Sequence, residues 1–367
     1  MNGLFRAAII SSLTAFAYLI IGLIVVELVL AFVFGYGREN ISFRKNTVNK
    51  NVSLQSMPYA DLCEFGLCPK AGTWVAKKEA LVGDTHQQAE LIYLVEYTIN
   101  NMLERFTPGS ENLNSGIHVN IFGGSFAFGE GLDDNETLPF FVSQAIRRAQ
   151  VRNFGFHGAG VARALRILEA GSAPTPAINI LLTGPFHAHR ADCVYDWVRS
   201  EFRYRVISSA AGESLELVGR CAEFPSQSRL LSISKYINDS PILGVFATAR
   251  IIADYLSRSY TAEQIHLYQA MLDKFDKLSK ASGSLPLVAY IPWGSLTEFW
   301  MSGFLSDPVV KFLIDAEIDH IILDHYQNTA FHIHQLDIHP GARANCTSAQ
   351  LISKHLGASS VLDCANL

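Results

Sequence analysis

His118-Val-Asn-Ile-Phe-Gly-Gly-Ser-Phe-Ala-Phe-Gly-Glu-Gly131 contains the most informative pattern in the chain. It opens on a short, mostly apolar run of strand length and continues into two glycines followed by Ser125. Glycine permits a sharp turn, and its missing side chain lets another molecule approach the neighbouring hydroxyl. The stretch therefore predicts a buried strand that ends in a serine-bearing turn.

Three interpretations of this turn are open from the stretch alone. A phosphate-binding loop requires Gly-Lys-Ser/Thr after the glycines, and the stretch contains no lysine. The nucleophile elbow of α/β-hydrolases requires Gly-x-Ser-x-Gly, whereas Ala127 occupies the last position here. That elbow also normally follows several strands, and this serine follows the first strand of its domain. The third interpretation is a tight strand-to-helix turn in which the serine only caps the helix.

Strand and helix patterns alternate after residue 117, and this alternation predicts the fold class. Buried strands are predicted at 118–122, 151–154, 178–182, 287–291 and 321–323, with helices near 137–149, 160–170, 244–257 and 261–279. Such alternation indicates a mostly parallel sheet with helices on both faces, a three-layer α/β/α fold. An insertion at about 186–240, with a hairpin predicted between 204 and 218, interrupts the alternation.

A second polar motif, Asp337-Ile-His-Pro340, follows the last predicted strand. A serine hydroxyl is a weak nucleophile until a base removes its proton, and the base needs a group that holds its tautomer. Ser125, His339 and Asp337 supply these three roles. Both motifs follow strands of one sheet, and ligands of open α/β sheets bind at the carboxyl ends of the strands. The two motifs together predict a catalytic serine site.

These motifs resemble those of the SGNH (GDSL) hydrolase superfamily over about residues 117–356. Three segments correspond to family blocks: Gly123-Gly-Ser125 to Gly-Asp-Ser, with glycine in place of aspartate; Asn153-Phe-Gly-Phe-His-Gly158 to the second block; and Asp337-Ile-His339-Pro340 to the last. The resemblance implies a flavodoxin-like core with Ser125, Asp337 and His339 as catalytic residues. It also implies an oxyanion hole formed by the backbone N–H groups of Ser125 and Gly158.

The third family block differs in this chain. The family has Gly-x-Asn-Asp after the third strand, and its Asn is an oxyanion donor, whereas this chain has Gly184-Pro-Phe-His187. We expect His187 to donate through a ring nitrogen instead. Loss of one such donor typically lowers turnover about 10²–10³-fold. The alternatives are replacement of the Asn by His187, a slow hydrolase, and a relative that no longer hydrolyses.

The N-terminal region predicts a membrane anchor. Residues 7–34 contain Glu27 as their only charged residue. This run exceeds the apolar region of a cleaved signal peptide, which is about 7–15 residues long, and suffices to cross a bilayer. Residues 1–36 are therefore predicted as a transmembrane signal anchor. Residues 37–115 are predicted as a membrane-proximal stalk with a helix over 86–106, and residues 116–367 as the hydrolase-like domain.

Charges and cysteines give opposite indications about the side of the membrane. The basic residues that follow the anchor favour a cytoplasmic domain by the positive-inside rule: Arg38, Arg44, Lys45 and Lys50. The six cysteines form three local pairs, Cys63 with Cys68, Cys193 with Cys221, and Cys346 with Cys364. Such pairs fit disulfides in an oxidising compartment, although six reduced cysteines remain an alternative. We expect an extracytoplasmic domain. No cysteine spacing matches a zinc site, so no metal is expected.

Composition excludes several classes of function. A net charge of −5 and a pI near 6.2 argue against a nucleic-acid-binding protein. The aromatic content of 11% excludes a disordered chain, and the lack of a second long uncharged run excludes a multi-spanning membrane protein.

The preferred hypothesis is a membrane-anchored serine esterase. As the resemblance implies, it removes acyl groups, above all acetyl, from a cell-envelope glycan or a similar ester and needs no cofactor. O-acyl transfer by the same residues is one alternative. A catalytically idle glycan-binding or scaffold protein is another, and the glycine at position 124 and the missing Asn favour it.

Overall fold

The computed structural model describes residues 41–49, 60–82, 88–110, 116–195, 198–209, 212–224, 260–292, 307–358 and 362–365, with residues 18, 21–27, 29, 233, 236, 237, 249 and 367. The chain divides into two compact units. One contains residues 1–40 and 228–259, and the other contains residues 41–227 and 260–367. All strands and helices named below belong to the second unit.

The predicted anchor at 7–34 lies mostly outside the described residues. Its described positions, Tyr18, residues 21–27 and Val29, are helical. Across the part of the chain that the structure describes, no helix combines the length and hydropathy required for a membrane span. The anchor stays a prediction.

The second unit contains strands and helices in alternation. Its strands are β1 (Ile41–Asn49), β2 (Ala60–Cys63), β3 (Gly66–Pro69), β4 (Gly72–Val82), β5 (Gln88–Ile99), β6 (Ile117–Gly123), β7 (Ala149–Asn153), β8 (Ile178–Thr183), β9 (Phe202–Ser209), β10 (Gly212–Arg220), β11 (Leu285–Tyr290), β12 (His320–Ile322), β13 (His332–His334) and β14 (Asp337–Pro340). Its helices are α1 (Ser125–Phe128), α2 (Leu138–Ala145), α3 (Val161–Glu169), α4 (Phe186–Ala191), α5 (Ala262–Ala281), α6 (Pro308–Asp315) and α7 (Ala342–His355).

The central sheet has five parallel strands in the order β12-β11-β8-β6-β7. This is the flavodoxin-like order, in which strands are added on one side of β6 and then on the other. The switch point lies between β6 and β8, where Val119 is opposite Ile178. The five predicted strands are these five, and the predicted α/β class with a mostly parallel sheet is confirmed.

Alternate residues of the central strands face different helical layers. Leu181 of β8 belongs to a buried core that includes residues of α3, α5 and α6. Its neighbours Ile180 and Leu182 belong to a second core, with residues of α2 and α7. Burial on both faces explains why these strands read as continuous apolar runs.

The helix predicted over 86–106 is wrong, because β5 covers Gln88–Ile99 and pairs antiparallel with β4. From Tyr93 to Ile99 every second side chain is buried, as expected for a strand with one solvated face. A bulge leaves Ile92 without an opposite residue, and Ile92 and Tyr93 are both buried. The bulge breaks the alternation, so the apolar positions mimicked helical spacing.

The predicted stalk packs in the same compact unit as the parallel sheet, and the boundary predicted at 115/116 lies inside this unit. Arg105 shows the connection most directly, because the whole residue is only 1% exposed. It donates to the carbonyl oxygens of Phe128, Gly129 and Leu132 at 3.1, 2.6 and 2.5 Å. Arg105 therefore fixes the chain that follows α1.

The insertion contains the predicted hairpin, in which β9 and β10 pair antiparallel with Ser209 opposite Gly212. The helices predicted near 137–149, 160–170 and 261–279 are α2, α3 and α5. The helix predicted near 244–257 falls almost entirely on residues that the structure does not describe. No sequence pattern predicted the short helix α4 at the start of the insertion.

Three disulfides join the cysteines in the predicted pairs, Cys63–Cys68, Cys193–Cys221 and Cys346–Cys364. The second links the segment after α4 to the residue that follows β10, across 28 residues of sequence. Both of its cysteines are buried and pack around Val198. This disulfide therefore closes the base of the hairpin insertion.

We expect the double variant Cys193→Ala/Cys221→Ala to lower the free energy of unfolding by about 3–4 kcal/mol, because the loop closure constrains the unfolded chain. Urea denaturation of the oxidised protein measures this loss. The matched control is Cys63→Ala/Cys68→Ala, whose sequence separation of 5 predicts a loss of about 2 kcal/mol. A larger loss for the control would contradict this explanation.

Candidate active site

Ser125 lies at the carboxyl edge of the central sheet as the first residue of α1, directly after β6. The turn before it requires glycine. Gly123 has φ of +151°, and a Cβ there would lie 2.6 Å from the carbonyl oxygen of Leu182 on β8. This close approach holds the serine turn against β8, and Ser125 is 7% exposed.

Ser125, His339 and Asp337 form a continuous chain of hydrogen bonds. Ser125 Oγ lies 3.0 Å from His339 Nε2, and His339 Nδ1 lies 2.5 Å from Asp337 Oδ1. The backbone N–H of His339 donates to the same oxygen of Asp337 at 3.1 Å. An ionised Asp337 requires the proton on Nδ1, which leaves Nε2 to accept from the serine. The structure thus brings together the three residues predicted as catalytic.

Asp337 is ionised although it is 4% exposed. Burial opposes its ionisation, but the hydrogen bonds and charge of His339, together with the hydrogen bond from Lys78, outweigh this effect and lower the pKa of Asp337 to about 2. Lys78 Nζ lies 2.7 Å from Asp337 Oδ2. Sequence reasoning missed Lys78, because it lies on β4 in the predicted stalk and no local motif marks it.

Glu130 is a second carboxylate beside His339. It lies in the serine-bearing stretch 118–131, and the sequence analysis assigned it no role. Its Oε2 lies 2.5 Å from His157 Nδ1 and 3.6 Å from His339 Nε2. Its Oε1 accepts from the Tyr93 hydroxyl at 3.2 Å. The Glu130 carboxylate therefore faces the nitrogen of His339 that lies against the serine.

The loop that carries Gly158 packs against the serine turn. Gly158 has φ of +72°, in the left-handed region that favours glycine. The Phe156 N–H donates to the Gly123 carbonyl oxygen at 3.1 Å. A Cβ on Gly124 would lie 2.9 Å from the Ala159 carbonyl oxygen. The segments of the first and second predicted blocks are thus in direct contact.

The geometry of His187 contradicts the donor role predicted for it. His187 is completely buried, with Nδ1 2.7 Å from Thr183 Oγ1 and Nε2 3.0 Å from Arg190 Nη1. A guanidinium only donates, so Nε2 accepts and Nδ1 carries the proton, which is directed to Thr183. Burial and the charge of Arg190 lower the pKa of His187 well below its usual value, so the ring is neutral. His187 has no proton left for an oxyanion.

Aromatic side chains surround the serine and histidine. The Phe126 ring lies 5.3 Å from the His339 ring and 5.6 Å from the Phe186 ring, and it stacks on Tyr326 at 6.1 Å. Among the described residues, no three His, Cys, Asp or Glu side chains converge to hold a metal ion. The site places a serine hydroxyl, an imidazole and a buried, ionised carboxylate in series, an arrangement that is chemically suited to nucleophilic attack by the hydroxyl.

No protein-family model and no curated protein matches this chain. Among solved structures, the chain is similar to a member of the lipolytic protein G-D-S-L family from Veillonella parvula DSM 2008. The similarity covers 67% of this chain and 100% of that chain, with 13% identity and a TM-score of 0.33. The chain is also similar to protein YXIM_BACsu from Bacillus subtilis, with 11% identity and a TM-score of 0.36, over 87% of this chain and 78% of that chain. At these TM-scores neither similarity bears on the site.

We expect Lys78→Met to lower the free energy of unfolding by about 3 kcal/mol at pH 7, because it leaves the buried carboxylate of Asp337 without its cation. Asp337 is ionised above about pH 2 in the folded protein and above about pH 4 when unfolded. The interaction therefore contributes fully above the higher value and is lost as pH falls towards the lower one. Urea denaturation at pH 7, 5 and 3 measures both effects.

Lys311→Met is the matched control. Lys311 lies on α6 and pairs with Asp315, and both side chains are exposed, by 68% and 59%. Exposed pairs contribute about 0–1 kcal/mol, so little change is expected. A loss for Lys78→Met that equals the control, or that stays constant from pH 7 to 3, would contradict a direct interaction with Asp337.

Proposed function

We propose that this protein is a serine ester hydrolase in which Ser125 is the nucleophile, His339 the general base and Asp337 its orienting group. The observation that carries the proposal is the hydrogen-bond chain from Ser125 Oγ through His339 to Asp337, with distances of 3.0 and 2.5 Å. It lies at the carboxyl edge of a flavodoxin-like sheet, where such folds bind ligands. A serine that only caps a helix does not require a histidine beside its hydroxyl and a buried carboxylate behind that histidine.

In the proposed reaction, His339 Nε2 takes the Ser125 proton as Oγ attacks the ester carbonyl carbon. The resulting imidazolium is stabilised by Asp337 and then protonates the leaving alcohol. Water repeats the sequence to release the acid. The backbone N–H groups of Ser125 and Gly158 are the proposed oxyanion donors.

The proposed substrate is a short acyl ester, above all an acetyl ester of a cell-envelope glycan. A narrow cavity adjoins Ser125 and is too tight to admit a water molecule, and its lining combines Phe126, Leu182 and Phe186 with His187 and Arg190. So little space beside the serine favours a small acyl group over a long chain. The glycan part of the proposal comes from the family resemblance and from the proposed location of the domain.

Labelling with a fluorophosphonate probe tests the function without knowledge of the substrate. The wild-type chain is expected to be labelled, and Ser125→Ala and His339→Ala to lose labelling and p-nitrophenyl acetate hydrolysis. Asp337→Asn is expected to lower kcat about 10⁴-fold, because the amide favours the wrong histidine tautomer. Thermal unfolding checks that each variant is folded.

Ser143→Ala is the matched control. Ser143 lies on α2, where its hydroxyl donates to the Phe140 carbonyl oxygen at 2.7 Å, and its replacement is expected to leave labelling unchanged. Labelling that persists in Ser125→Ala would refute the nucleophile. A folded wild-type chain that is never labelled would favour a binding or scaffold role. Product formation on an added sugar alcohol in excess of hydrolysis would indicate acyl transfer.

We also propose that residues 7–34 anchor the chain and that the hydrolase-like unit lies on the extracytoplasmic side. Three disulfides support this location, because such bonds persist in oxidising compartments and are rare in the cytosol. Long domains cross the membrane largely regardless of the basic residues that flank the anchor.

Thiol alkylation and mass analysis of protein taken directly from its native membrane test this location. We expect no alkylation before reduction and six alkylated cysteines after it, because all six are paired. Alkylating reagent must be present during lysis, so that disulfides formed afterwards are not counted. Six free thiols before reduction would contradict the extracytoplasmic location and favour the orientation that the charge rule gives.

A further inference from the structure

This chain departs from the SGNH pattern at Gly124, where the family has Asp, and in the segment 184–187, where the family has an Asn. Arg190 lies beside both places. It belongs to α4, the helix that follows β8 and carries the third-block segment. A Cβ on Gly124 would clash with Arg190 Nη1. The guanidinium therefore occupies the space that an aspartate side chain would need at position 124.

Hydrogen bonds hold the guanidinium in this place. Arg190 Nη1 donates to the Ala159 carbonyl oxygen at 2.7 Å and to His187 Nε2 at 3.0 Å. His187 is fixed in turn by Thr183 Oγ1, which lies 2.7 Å from the Tyr268 hydroxyl. Arg190 thus links α4 to the loop after β7 at the switch point of the sheet.

The Arg190 guanidinium is a cation at neutral pH. Burial lowers the pKa of Arg190 only to about 10, because Tyr195, Glu201, Tyr260 and Glu130 counteract the effect. His187 is neutral, so the charge remains on Arg190. Arg190 and Ser125 line the same narrow cavity, together with Gly124 and Phe186. A fixed positive charge is therefore present beside the nucleophile.

We propose that Arg190 supplies the positive charge of the oxyanion site, in place of the Asn that the family carries in its third block. The inference rests on the proposed esterase function. When Ser125 Oγ bonds to the ester carbon, its proton passes to His339 Nε2 and the carbonyl π electrons move to the oxygen. Arg190 keeps its own protons and stabilises the negative oxygen through its charge. Through Ala159 it also positions the loop that carries Gly158.

One residue explains both departures. An aspartate at 124 would collide with the guanidinium and would neutralise its charge, so glycine is needed there. A side-chain amide in the third block is not needed, because a cation interacts with a developing negative charge more strongly than a neutral dipole does. Arg190 acts here as a positioning residue with an electrostatic effect.

Arg190→Met and Arg190→Lys test the inference with p-nitrophenyl acetate and the fluorophosphonate probe. Arg190→Met, which removes the charge and keeps a long side chain, is expected to lower kcat about 10²–10³-fold with little change in KM. Probe labelling should slow by a comparable factor, because phosphonylation also places a negative oxygen in this site. Arg190→Lys keeps a cation and is expected to retain at least tenfold more activity than Arg190→Met.

Arg205→Ala is the matched control, since Arg205 lies on the exposed hairpin and donates to Glu216. The inference would be overturned by a kcat for Arg190→Met within about threefold of wild type, whether or not KM rises. If Arg190→Met does not fold, Arg190→Gln decides, because it removes the charge and keeps a side-chain N–H donor for the Ala159 carbonyl oxygen and His187 Nε2. A kcat reduced at least tenfold with wild-type KM supports the inference, and an unchanged kcat overturns it. A wild-type chain that the probe does not label refutes the esterase function instead.

Discussion

Close packing at the Gly123–Gly124 turn is the constraint on which the rest of the site depends. A side chain on the first glycine would collide with the backbone of β8, and one on the second would collide with Arg190 and the Ala159 carbonyl oxygen. Three segments that are distant in sequence therefore meet around two residues without side chains. Their contact holds the turn that carries Ser125, whose hydroxyl lies 3.0 Å from His339 Nε2. For the proposed nucleophile, a hydroxyl already within hydrogen-bond distance of the base needs little rearrangement before reaction.

The N-terminal antiparallel strands, and the segment that follows them, contribute side chains to the site. Lys78 on β4 pairs with Asp337, Tyr93 on β5 contacts Glu130, and Arg105 holds the carbonyl groups after α1. A buried carboxylate without such partners is strongly destabilising and shifts towards its neutral form. A neutral Asp337 would no longer fix the histidine tautomer. Ser125 follows a strand of the parallel sheet, and Asp337 and His339 lie on β14 of the two-stranded sheet β13–β14. Lys78 of β4 helps to keep Asp337 charged.

The sequence predicted the parts of the structure that local patterns encode. The strands of the central sheet were recognisable because burial on both faces makes them continuous apolar runs, and Asp337-Ile-His-Pro340 was recognisable because its residues are adjacent. The strand β5 was mistaken for a helix, because the bulge at Ile92 disrupts its alternation. Lys78 could not be found, since its partner is 259 residues away in sequence. The role predicted for His187 failed because sequence does not show that both ring nitrogens are engaged in the folded protein.

The charges around Ser125 and His339 are arranged along the direction in which charge separates in the proposed reaction. Relative to the family pattern, glycine at position 124 removes one negative charge, and Arg190 adds one positive charge, on the side of the serine turn. Asp337 and Glu130 place carboxylates 2.5 and 3.6 Å from the two ring nitrogens of His339. Attack by the serine creates a negative oxygen and a positive imidazole. The positive charge of Arg190 favours the negative oxygen, and the carboxylates of Asp337 and Glu130 favour the positive imidazole. Because these groups are held by packing and hydrogen bonds, they need little reorganisation as the charge develops, and this is the condition under which electrostatic stabilisation is most effective.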